Sequence, residues 1–137
     1  MGRVNVGVSI ADAEDIARKQ ESPAPVGLYE LQCIRCQDTD DEGNTLTTKK
    51  GRPQVVFHLA IVGASDPDLN GKTIRVYCPL PHNGDMTWIS RLVNTTKGLG
   101  KPYSSLGFET EDYVGVSGRA NVTISKDGIW NEIESWL

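Results

Sequence analysis

No stretch of this chain comes near the ~20 consecutive apolar residues that a membrane-spanning helix requires. The opening Met1-Gly2-Arg3-Val4-Asn5 also lacks the apolar centre and small-residue cleavage site of a secretory signal. Both absences lead to the expectation of a protein with no membrane partner, kept in a cytoplasm. Histidine is scarce, with only His58 and His82, and the three cysteines are an odd number that suits no secreted disulfide scaffold. Cys33 and Cys36 form a C-x-x-C pair, but no second pair accompanies it, and residues three apart on a strand point to opposite faces. Buried thiols are expected there, not a zinc or redox centre. Catalytic signatures are missing too: there is no G-x-S-x-G, no H-E-x-x-H and no glycine-rich phosphate loop with its lysine. Asp38, Asp40 and Asp41 imitate the start of a calcium loop, yet Lys49 and Lys50 stand where its bidentate glutamate belongs. The expectation is a protein that binds and does not catalyse, with no metal and no cofactor.

What is present fits one domain. With 137 residues, 38% hydrophobic and 23% charged, the chain can close a single core but not two. Its net charge of −4 is unevenly spread, with acid at Asp38, Asp40, Asp41 and Glu42 and base at Lys49, Lys50 and Arg52. An acidic average is therefore compatible with a basic groove. Residues 1–26 read as a peripheral flexible arm, with a short helix over Ile10 to Gln20 that Ser22-Pro23-Ala24-Pro25 breaks.

From residue 27 the pattern turns to β. Gly27 to Gln37 sets Tyr29, Leu31 and Cys33 on one face, and Arg35 falls on that same face, which demands a bulge or a departure from the core. Asp38 to Arg52 is a polar excursion read as a projecting hairpin, with a turn at Asp41-Glu42-Gly43-Asn44. Pro53 to Val62 has the cleanest period of two, Val55, Phe57, Leu59 and Ile61 against Gln54, Val56, His58 and Ala60. Lys72 to Cys78 turns Ile74, Val76 and Cys78 inward and leaves Thr73, Arg75 and Tyr77 outward. Asp85 takes the N-cap of a helix through Met86, Trp88, Ile89, Leu92 and Val93, closed by Gly98 or Gly100. Strands over Tyr113 to Ser125 and Ile129 to Leu137 follow, joined at the turn Lys126-Asp127-Gly128.

Five strands with a helix between the third and fourth, and no glycine-rich strand-to-helix turn, describe an all-β, five-stranded OB-type Greek-key barrel over residues 27–137. Certain segments then carry a family likeness. Gly27-Leu28-Tyr29 opens the first strand, Gly51-Arg52-Pro53-Gln54 enters the second, and Asn70-Gly71-Lys72-Thr73-Ile74 precedes the third. A short helix ends in Leu92, and Tyr113-Val114-Gly115-Val116 leads to a terminal Asn131-Glu132-Ile133. On these residues the chain, over about 25–137, resembles the OB-fold single-stranded-DNA-binding proteins of bacteriophages. The resemblance implies non-sequence-specific binding of single-stranded DNA during viral DNA replication or recombination, in a host-cell cytoplasm. Replication or recombination proteins would be further partners; RNA as a ligand and self-association into a homo-oligomer stay open.

Single strands are held by cations that follow the phosphates and by aromatic faces on which bases stack. In OB barrels the second and third strands supply the platform, and the first hairpin and the fourth-to-fifth connection close over it. On this chain those places hold His58, Arg75 and Tyr77 on the platform, Lys49, Lys50 and Arg52 on the hairpin, and Lys126 and Trp130 at the last turn, while Arg119 projects from the fourth strand. Tyr77, joined by Trp130, is expected to stack bases. Plainer roles compete: Tyr77 as a plug of the barrel end, and the hairpin cations as a solvated tip balancing its acids. Tyr29, Phe57, Trp88 and Trp136 read as core residues. The competing function is an OB-fold protein-interaction adaptor of a virion or replisome, because fold alone does not determine function.

Overall fold

The period-two pattern before Val62 is realised as a strand in a computed structural model that describes residues 3–5, 7–11, 22–103 and 107–137. Five strands form: β1 (Gly27–Gln37), β2 (Gln54–Val62), β3 (Thr73–Pro79), β4 (Ser117–Ile124) and β5 (Asn131–Trp136). One helix of ten residues, α1 (Ile89–Gly98), lies between β3 and β4. The sheet order is β3-β2-β1-β4-β5, with every neighbouring pair antiparallel. β1 serves both halves, pairing Glu30–Gln37 with β2 and Gly27–Gln32 with β4. That shared strand lets the sheet curl until β5 approaches β3, with α1 against both. The result is the expected all-β OB-type barrel, nearly closed.

The inward residues explain why it holds. Leu31, Phe57, Leu59, Ile61, Ile74 and Val122 are buried, each stabilising the fold by about 1.5–3 kcal/mol through removal from water. An edge-to-face series of rings runs Phe57–Tyr113–Phe108–Tyr103, with centroids 5.6, 5.2 and 6.0 Å apart. Tyr113 was expected to open the fourth strand. It ends instead a short 3-10 turn (Thr110–Tyr113), ring buried and hydroxyl donating to the Lys101 carbonyl at 2.8 Å. The backbone of Gly115 and Val116 then bonds Cys33, and β4 begins only at Ser117.

β1 resolves the question posed by Arg35. Its register shifts between Cys33 and Arg35, so Cys33 opposes Leu59 while Arg35 already opposes His58. The extra residue turns Arg35 out and brings Cys36 in opposite Phe57. The expectation that Cys33 and Cys36 face opposite ways fails for this reason, and both are buried. Burial first, then the neighbouring Cys33 and Cys78 thiols, push Cys36 up to about 12, and burial pushes Cys78 to about 11. Thiols held protonated in this way are packing groups. Among the described residues no group of three or more His, Cys, Asp or Glu is placed to hold a metal ion.

The helix starts later than its sequence signals suggest. Asp85 does cap, but its side chain accepts from Thr87 N at 2.8 Å, and Trp88 follows with φ 75 as the N-cap of α1. The carbonyls of Asp85 and Thr87 meanwhile accept from Arg52, and that of Asp85 also from His82 N, which holds the segment in a turn ahead of the helix. At its other end α1 is seated very closely. A Cβ on Gly98 would overlap the Trp136 ring, and one on Gly118 would strike the Gly98 carbonyl, so two bare backbones make the contact.

The helix expected over Ile10 to Gln20 lies, apart from Ile10 and Ala11, outside the described residues. Ala24 is fully buried, and its backbone N–H and carbonyl both bond the Asn131 side chain, at 2.8 and 2.9 Å. Packing thus begins before the expected end of the arm at residue 26. No helix among the described residues is long and apolar enough to cross a membrane.

Candidate nucleic-acid interface

Side chains on the outer face of β1, β2 and β3 are brought together by register alone. His58 pairs with Arg35 on one side and Arg75 on the other, giving a cross-strand row of arginine, histidine, arginine. Directly paired side chains on one face lie about 4.5–5.5 Å apart at Cβ. The next row is Gln37, Val56 and Tyr77, and Tyr77 is 44% exposed. Val56, in the second row, and Ala60, beyond His58 on the other side, are apolar and buried, so the β2 part of this face exposes little besides His58.

The charge on this face is arranged so that the centre stays neutral. His58 Nε2 lies 2.6 Å from Gln37 Oε1, a contact the ring makes as donor in the tautomer that carries its proton on Nε2. Desolvation, then the charges of Arg75 and Arg35, lower the imidazole pKa from its ordinary value. Two guanidinium groups therefore flank a neutral ring. Arg35 also reaches Asp41 at 2.9 Å, but both partners are exposed and such a pair contributes little.

The polar excursion between β1 and β2 is a projecting structure of two tight turns. One is acidic, organised by Asp40, whose carboxylate accepts from Asn44 N (2.8 Å) and Glu42 N (2.9 Å). Those bonds, Asn44 first, hold its carboxyl below the ordinary value. The other is basic, spanning Thr48 to Arg52 with the exposed Lys49 and Lys50 at its tip and Gly51 at φ 80. Arg52 points elsewhere. Its side chain is 12% exposed, donates to the carbonyls of Leu80 (2.6 Å), Thr87 (2.6 Å) and Asp85 (3.2 Å), and pairs with the Asp85 carboxylate at 3.5 Å. Expected as a phosphate ligand, it is instead a clamp that ties the basic turn to the segment between β3 and α1.

A groove of about 1160 Å³ separates β3 from β5 beside α1, with Arg75 and Tyr77 on one wall, Arg91 and Lys97 from the helix, and Trp130 and Trp136 on the other wall. Trp130 is 56% exposed, and Lys126 stands exposed on the same β4–β5 turn. Glu132 and Glu134 share that far wall, so a polyanion would be repelled there and drawn to the β3 side. Arg119 faces outward opposite Glu30, at the other end of the sheet, in a shallow pocket with Leu28 and Val62. The structure thus brings Arg75, Tyr77 and His58 into one patch, with Trp130 across the groove, and leaves Arg119 apart.

Sequence reasoning missed three residues here. Arg35 is exposed by the β1 bulge, whose only signal was an arginine on an apolar face. Arg91 is exposed on α1 and donates to the Tyr77 carbonyl at 3.4 Å. Trp88, expected in the core, is 53% exposed, with the Arg91 guanidinium 4.7 Å from its ring centroid. Compared with known proteins, the chain matches no family model and no curated relative.

Proposed function

We propose that this barrel binds single-stranded DNA without regard to sequence, coating transient single strands during viral DNA replication or recombination, in keeping with its resemblance to the phage proteins. The observation that carries the reading is the Arg35–His58–Arg75 row beside the exposed Tyr77. Bases stack on Tyr77, while Arg75 and Arg35 hold the phosphates on either side of His58. Stacking is worth about 1–3 kcal/mol per base and is indifferent to base identity, which suits a coat protein. Lys49 and Lys50 extend the cationic track beyond β3, and Trp130 with Lys126 offers a second contact across the groove. No cofactor is required for any of these contacts. Replacing Arg75 and Tyr77 together by alanine tests the reading. Both side chains are exposed, so the variant should melt like the native chain while its affinity for oligo-dT falls by about tenfold or more. Undiminished affinity would move the site to another face.

A further inference from the structure

Trp88 sits in an odd place for a tryptophan. It is more than half exposed, and its φ of 75 lies in the left-handed region that bulky side chains rarely adopt. Such a conformation persists only where surrounding structure enforces it. Arg52 does so, by binding the carbonyls of Leu80, Asp85 and Thr87 around the segment that presents the ring. Core packing does not account for the arrangement, since the neighbouring Met86 is exposed as well. What meets the indole is the Arg91 guanidinium, stacked 4.7 Å from the ring centroid, and Arg91 in turn donates to the carbonyl of Tyr77. Arg91 also lines the groove with Tyr77, so it joins Trp88 to the Tyr77 end of that surface. The basic turn bearing Lys49 and Lys50 is fastened to the same segment through Arg52.

We infer that Trp88 and Arg91 form a second base-binding subsite, which takes a nucleobase of a single strand already held at Arg75 and Tyr77. The inference rests on the single-strand reading above and extends the path of the strand past the end of β3. One face of the indole carries a guanidinium, which suits an approaching phosphate, and an exposed indole accepts any base by stacking. Arg52 is a positioning residue in this scheme and touches no nucleotide.

The test compares four proteins: the native chain, Trp88→Gly, Trp88→Phe, and the Arg75→Ala/Tyr77→Ala double variant. Each is titrated into a labelled 30-nucleotide oligo-dT (a length of about 30 spans one or more OB sites) and melted in parallel. Glycine accepts a positive φ without strain, so Trp88→Gly should melt close to the native chain. Its affinity should nonetheless fall by about tenfold, and Trp88→Phe should recover most of the loss by restoring a stacking face. Native affinity in Trp88→Gly, with the double variant impaired, would overturn the subsite and leave the platform standing. Equal weakening in Trp88→Gly and Trp88→Phe would also overturn it, because the ring would not be what matters. No binding by the native chain would overturn both, and an aromatic surface of this kind would then belong to a protein partner.

Discussion

Gly98→Ala is the substitution that best probes how the barrel is closed. On helix propensity alone alanine should improve α1, by up to about 1 kcal/mol and less at a helix end. The structure argues the reverse, because the added methyl would occupy the space of the Trp136 ring. That ring is partly buried against the core, next to α1 and β4. Expelling it forfeits about half of the ~200 Å² a tryptophan buries, which at ~25 cal/mol per Å² is roughly 2–3 kcal/mol. Retaining it overpacked costs about 1–3 kcal/mol. Net destabilisation should be about 1–2 kcal/mol, a fall of several degrees in Tm for a domain of this size. A double-mutant cycle makes the reasoning specific. With Trp136→Ala as background, Gly98→Ala should become neutral or mildly stabilising. Gly118→Ala should stay destabilising in both backgrounds, because it meets the Gly98 carbonyl and not a side chain that can leave. Thermal melts by circular dichroism decide the matter, and a Gly98→Ala protein as stable as the native chain would refute the seating of α1 on β5.

Further outcomes follow from two residues, His58 and Arg52. The His58 pKa is lowered in the folded chain from its ordinary 6.5, by desolvation and then by Arg75 and Arg35. On acidification the unfolded chain protonates first, so the stability contributed by neutral His58 is present above about pH 6.5 and is lost as pH falls below it. Phosphates over the two arginines favour the imidazolium, so binding takes up a proton. Affinity for single strands should therefore rise on going from about pH 7.5 to 5.5 in the native chain and more weakly in His58→Gln, as anisotropy titrations at each pH would read. Arg52→Ala removes the charged donor to the Leu80 and Thr87 carbonyls and one of the two donors to Asp85, and should cost about 1–3 kcal/mol in denaturant melts. It should also speed amide exchange through residues 82–88, where the clamp holds the chain.

Local pattern made much of the fold legible. The alternation named the core-facing residues of β2 and both faces of β3 correctly, because a strand with one face in the core has a period that cannot slip without exposing every apolar residue. The other face of β2 is more covered than the pattern suggests, with Val56 and Ala60 buried. The same alternation put His58, Arg75 and Tyr77 on one side. The turn at Lys126-Asp127-Gly128 was visible for the same kind of reason, since Asp127 accepts from Ile129 N and Ser125 Oγ inside the turn itself. What escaped was set by distant partners. The bulge that turns Arg35 outward depends on β2 accepting Cys36 beside Phe57, and the late start of α1 depends on Arg52, more than thirty residues away, taking the Asp85 and Thr87 carbonyls. Trp88 has the spacing of the apolar helical face that Ile89 and Leu92 do form, but the helix begins one residue too late to include it. Tyr113 read as strand, being aromatic and next to valine, whereas its buried ring stands edge-to-face between Phe57 and Phe108.

The measurement that bears most directly on the proposed function is fluorescence anisotropy of a labelled oligo-dT of about 30 nucleotides, titrated with the native chain beside a duplex of equal length. Arg35, Arg75, Arg91, Lys49 and Lys50 acting together on phosphates predict tight binding to the single strand over the duplex. The same cations predict a log–log salt slope between about −2 and −4, at ~0.7 per phosphate neutralised on a single strand. No binding at low salt, or equal and salt-insensitive binding to both forms, would contradict the single-strand reading and favour a protein-docking role for the same face.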